Sequence, residues 1–239
     1  MLKLTKKYIA LSVLGACSLM MLGGQAQAAE LKALSEKQAG IVTVAAFTAQ
    51  GDLARLKPAL GKALDAGLTV NEASEVLMHL YAYAGFPKSL NGLNTLVTVL
   101  DERKADGIED VMGPAATPVA PDRDRLAIGK ANQEKVAGRV VSGPIYELAP
   151  FANTLLREHL FGALFERDVL SFQERELATV GALAGIGNVN PQLRSHMRGS
   201  MNVGVTGEQL QEAITVLGEN VDKEVADNAQ KIFDGLNVK

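Results

Sequence analysis

The sequence predicts an all-α fold made from one helical unit used twice, and three observations carry that prediction. First, four helix-start signatures fall into two matched pairs: Ser35 with Gln38, Thr69 with Glu72, Ser171 with Glu174, and Thr206 with Gln209. In each, a hydroxyl caps an amide of the first turn while the Gln or Glu reaches back to the cap's own amide, so two free donors are satisfied together. Second, the segment from Leu34 slides onto the segment from Leu170 with one inserted residue. Leu34/Leu170, Ser35/Ser171, Thr43/Thr179, Val44/Val180, Ala46/Ala182, Leu56/Leu193, Gly67/Gly204, Thr69/Thr206 and Glu75/Glu212 then coincide. Third, apolar residues recur at helical spacing, and no run beyond the short Val140-Val141 reads as a strand.

Taken in order, residues 1–28 read as a secretory signal peptide. Lys3, Lys6 and Lys7 precede an apolar stretch from Tyr8 to Leu22, and Ala26-Gln27-Ala28 is a small-x-small cleavage pattern. That stretch is shorter than the ~20 residues of a spanning helix. Leu14-Gly15-Ala16-Cys17 also resembles a lipobox, which would anchor Cys17 to lipid; the apolar run continuing through Leu22 favours ordinary cleavage and a periplasmic or secreted chain.

The first unit, 29–108, opens at Ser35, and Ile41, Val44, Ala45 and Thr48 share one helical face. A helix near 52–66 ends at Gly67, Thr69 restarts the chain, and a further helix near 87–105 opens at Pro87 and closes at Gly107. Residues 109–145 form the expected linker, with a proline- and alanine-rich loop at 112–121 and a helical piece near 123–138. Another piece near 146–166 leads into the second copy within the second unit, 146–239. There Leu177, Val180, Gly181 and Ala184 share a face, and a helix near 190–203 ends at Gly204. The repeated element is an αα-hairpin with a tight Gly-x-Thr turn.

Composition narrows the function. Cys17 is the only cysteine, so the chain after residue 28 has no disulfide, thiolate ligand or thiol redox centre. Losing three lysines leaves 21 basic against 27 acidic residues, a formal charge of −6, which disfavours nucleic acid and anionic membrane as partners. With 47% hydrophobic residues the chain can fill a real core.

The halves differ where chemistry is at stake. In the shared register Arg175, Glu176 and His196 stand opposite Ala39, Gly40 and Ala59. A histidine in the place of His196 suits proton transfer, Glu176 suits fixing its tautomer, and Arg175 suits gripping a carboxylate. Arg175 and Glu176 equally suit a solvated first-turn pair at the positive end of a helix. Tyr81, Tyr83 and Phe86 face Gly218, Asn220 and Lys223, and read either as packing or as a ligand wall shared with the polar residues of the other copy. His159 is a weaker candidate for the substrate pocket, and His79 reads as a polar tip at the edge of the core. No two of the three histidines have the i,i+4 spacing of a helical metal site, so no metal or cofactor is expected.

Gly67-Leu68-Thr69-Val70-Asn71-Glu72 with Tyr81-Ala82-Tyr83-Ala84-Gly85-Phe86-Pro87 resembles the signature of the carboxymuconolactone decarboxylase family. Leu170–Leu177, Gln192–His196 and Gly204–Thr206 look like a second copy. The resemblance implies the all-α fold shared with alkylhydroperoxidase D proteins, and a cofactor-free lyase or isomerase acting on a small carboxylated lactone or related acid. It also implies rings of identical domains, here a homotrimer of two-domain chains. Glu176 and His196 fall near the outer positions of the alkylhydroperoxidase Glu…Cys-x-x-Cys…His pattern, but Ile186–Gln192 contains no cysteine, so thiol peroxidase activity is not expected. A fold without chemistry, serving as an oligomeric binding or assembly protein of the cell envelope, is the alternative.

Overall fold

The computed structural model describes residues 31–237. The expected signal peptide and Cys17 lie outside the described residues. The first copy comprises α1 (Glu36–Gln50), α2 (Leu53–Asp65), α3 (Val70–His79), the single turn α4 (Tyr81–Ala84) and α5 (Phe86–Ala105). The second comprises α9 (Phe172–Ile186), α10 (Asn190–Asn202), α11 (Gly207–Asn220) and α12 (Lys223–Asp234). Between them lie α6 (Arg125–Ala137), the short α7 (Pro144–Leu148) and α8 (Pro150–Leu155), and a π-helix over Leu156–Leu164. Among the described residues there is no strand. No described helix is long and apolar enough to cross a membrane.

All four capping boxes form with both reciprocal bonds. Gly67 and Gly204 follow the ends of α2 and α10 at φ 92° and 104°, a left-handed conformation that costs glycine little. These caps fix where each hairpin turns.

Two equivalent helices form the spine. α1 and α9 lie against each other, and every residue from Ile41 to Ala49 is buried. Apolar spacing along α1 therefore does not mark one face, because α2, α9 and α11 cover it together. A Cβ on Gly181 would sit 2.5 Å from the Val42 carbonyl oxygen, and one on Gly185 would sit 2.8 Å from that of Ala46. Both contacts advance by one turn together, so the helices run in parallel with backbones nearly touching.

The copies are also cross-clamped. Glu212 on α11 accepts the backbone amides of Lys32, Ala33 and Leu34, just ahead of α1, at 2.8–3.0 Å. Its register mate Glu75 on α3 binds Arg167, just ahead of α9, and Arg175 within it. Each copy thus steadies the start of the other's spine helix.

The segment expected as a linker contains α6, which packs on the π-helix and α10. Val136 joins Leu160, Phe161, Leu164, Phe165 and Val203 in a second apolar cluster, against which Met78, Tyr81 and Tyr83 pack. That cluster encloses the polar residues of the second copy.

Candidate functional site

The αα-hairpin of α9 and α10 brings Glu176 and His196 together across 20 residues of sequence. His196 Nδ1 lies 2.9 Å from Glu176 Oε2, with Glu176 fully buried and the His196 side chain 16% exposed. With the carboxylate as acceptor, the imidazole carries its proton on Nδ1 and leaves Nε2 for another partner.

The first copy completes the arrangement. Tyr83 on α4 meets the His196 ring edge-on at 5.4 Å, and His79 on α3 lies 5.2 Å from Tyr83. Thr179 donates to the Arg175 carbonyl at 2.8 Å, so His79 Nε2 donates to the Thr179 hydroxyl at 3.0 Å. That assigns the His79 proton to Nε2. Complete burial holds His79 well below the ordinary histidine range, reinforced by the Arg175 and His196 charges, and it stays neutral at pH 7. Burial and then the nearby Glu176 charge push the Tyr83 hydroxyl up, keeping it a neutral donor.

Arg175 is enclosed and committed on one side. Its Nη2 donates to Glu75 Oε1 at 2.7 Å and to the Arg167 carbonyl at 2.8 Å, while Arg167 also binds Glu75. Burial pulls its basicity down and the Glu75 bond opposes that shift. Four buried polar atoms of this cluster have no protein partner, the donors Arg175 Nε and Nη1 and the acceptors His79 Nδ1 and Glu176 Oε1, while Tyr83 Oη lies beside the Thr179 hydroxyl. Buried polar atoms rarely go unpaired, which sets this cluster apart from the apolar core around it.

The family model of the carboxymuconolactone decarboxylases matches residues 19–97 and 152–234, more than half the chain and both copies. The chain belongs to the carboxymuconolactone decarboxylase family. Curated relatives include Peroxisomal protein 2 of Saccharomyces cerevisiae, 29% identical over 57% of this chain and 56% of that protein. Peroxisomal protein 2 of Schizosaccharomyces pombe is 29% identical over 58% of this chain and 63% of its own length. The chain thus spans less than two thirds of either relative. A solved Burkholderia xenovorans chain, provisionally assigned as a gamma-carboxymuconolactone decarboxylase subunit, is 23% identical with a TM-score of 0.48, over 85% of this chain and 79% of that one.

Against the family expectation, the sequence-flagged residues divide. Glu176, His196 and Tyr83 converge. Arg175 joins them, but as the buried partner of Glu75 rather than as a solvated first-turn residue. Tyr81 stacks on Phe86 at 4.5 Å and 11°, and Phe86 is 61% exposed, so this pair stands at the rim beside the second apolar cluster. His159 is exposed on the π-helix and makes no hydrogen bond to the cluster.

Three members were not assigned to the site from sequence: Glu75, Thr179 and His79, the last read as a polar tip at the edge of the core but fully buried in the structure. Glu75 and Thr179 are matched in both copies, which reads as scaffold, whereas His79 faces Val216 in the register. The mismatch that exposed His196 opposite Ala59 was therefore present at His79 too.

Proposed function

We propose that the second-copy site is a cofactor-free acid–base centre of an exported lyase or isomerase acting on a small carboxylated lactone or related acid. One observation carries this reading: a partly exposed histidine held at 2.9 Å by a buried glutamate, beside buried donors with no partner. Glu176 fixes the imidazole so that Nε2 faces the substrate. Tyr83 Oη and the free N–H groups of Arg175 receive the carbonyl oxygen, where negative charge collects as the carbon–carboxylate bond breaks and carbon dioxide leaves. The electron pair passes into the enolate, and a protonated His196 returns a proton to carbon. In an isomerisation the same imidazole removes and replaces the proton.

Export is supported by the order of basic, apolar and small-x-small segments in residues 1–28. The name of the yeast relatives speaks for those proteins' location, and decarboxylation is no part of it.

A turnover screen over carboxylated lactones and keto acids tests the reading. His196→Ala is expected to lower kcat by about 10²–10⁴, and Glu176→Gln to lower it while keeping the fold. Equal turnover in wild type and His196→Ala would remove the proposed acid.

A further inference from the structure

The first copy keeps the place of this site without its chemistry. In the shared register Arg175, Glu176, His196 and Tyr83 correspond to Ala39, Gly40, Ala59 and Asn220. All four line one cleft of about 280 Å³ against α1 and α2. The pseudo-symmetry that builds the polar cluster from α9, α10 and α4 therefore builds the cleft from α1, α2 and the end of α11.

Loss of function alone does not explain an open cleft. Protein interiors pack to crystal-like density, and a hairpin kept only as scaffold gains by refilling such a void with larger apolar side chains. Here the lining stays small at Ala39, Gly40, Ala59 and Ala63, with Phe47 beneath the Arg55 guanidinium. Gly40 draws the helices together, since a Cβ there would lie 2.9 Å from that of Ala63. The α6 and π-helix pair that encloses the second-copy cluster has no counterpart over this face among the described residues.

Charge at the cleft selects the ligand. Arg55 is fixed in place: Nε binds Asp52 at 2.6 Å, Nη1 donates to the Val221 carbonyl at 2.8 Å, and the guanidinium lies 4.7 Å over the Phe47 ring. Lys62 is exposed and makes no ion pair among the described residues, so its ammonium is free for an incoming anion. Glu36 also lines the cleft and disfavours a second negative charge on the ligand.

We propose that this cleft is a second binding site, separate from the Glu176–His196 centre, for a small cyclic monocarboxylate. The ring packs on the alanine floor beside Phe47, and the carboxylate meets Lys62. Whether the other site is catalytic does not enter the argument.

Ligand-observed NMR on the full chain with benzoate as probe tests it. Saturable binding is expected to persist in His196→Ala, to weaken about fivefold in Lys62→Glu, the scale of an exposed ion pair, and to vanish in Ala59→Phe. Benzamide, which has the ring without the charge, is expected to bind wild type and Lys62→Glu alike. Lys62 is on the surface, so its variant decides the matter if Ala59→Phe fails to fold. No binding up to ~10 mM benzoate, equal binding to wild type and Lys62→Glu, or loss of binding in His196→Ala would overturn the proposal.

Discussion

A neutral histidine sealed inside the cluster makes stability depend on pH in a window of its own. Folded His79 refuses a proton that the unfolded chain accepts below its ordinary value of 6.5, so the unfolded state binds more protons and stability falls as pH falls. The slope approaches about 1.4 kcal/mol per pH unit below that value, and vanishes above it. Glu72, Glu174 and Glu212 are held below their ordinary 4.5, so the stability they contribute is lost only in more acidic solution. Urea unfolding between about pH 7 and pH 5 is expected to show the decline in wild type and a flatter profile in His79→Gln. Identical profiles would mean that His79 takes up its proton as readily in the fold as in the unfolded chain. From sequence His79 reads as a polar tip at the edge of the core, because a sequence does not say whether a histidine on a helix points to solvent or is sealed.

At the scale of elements, the approach of α1 and α9 sets the geometry of everything packed on them. Gly181→Ala would place a methyl 2.5 Å from the Val42 carbonyl oxygen and 3.1 Å from its Cα, and backbone cannot rotate aside. Spreading the spine is expected to cost about 1–3 kcal/mol, read as a drop of several degrees in Tm. Gly61→Ala is the control: its nearest neighbour would be an Arg103 side-chain nitrogen at 4.0 Å, so the change is expected to be neutral or stabilising. A harmless Gly181→Ala would show that the helices are further apart than described. The helix starts, the Gly-x-Thr turns and the duplication were all readable, since capping depends on residues three apart. The spine was not, because Gly181 looks the same in sequence whether a solvent layer or a neighbouring backbone lies beside it.

For the whole molecule, the swapped clamps make the two copies one unit: Glu212 holds the approach to α1 and Glu75 the approach to α9. Apolar side chains still face outward, among them Phe86, Leu90 and Val97 on α5 and Ile145, Leu148 and Phe151 on α7 and α8. Exposure on this scale supports self-association, and we propose the trimer that six family-type domains imply. Native mass spectrometry of exported protein is expected to give three copies of a chain beginning at Ala29. A monomer would remove the trimer, and an uncleaved or lipid-modified chain would remove ordinary signal cleavage.

By itself the sequence determined the helices, their caps and the duplication, and marked Glu176 and His196 as candidates, because those follow from local spacing and from comparing one copy with the other; that the two side chains pair at 2.9 Å came from the packing of α9 on α10. Tertiary structure alone decided that Arg175 is a buried partner of Glu75, that Tyr83 comes from the first copy to meet His196 with His79 behind it, and that the vacated register positions line an open cleft. These depend on which helices pass within a few ångströms of each other. Close passage is fixed by packing between distant segments, which residue spacing along one helix does not encode.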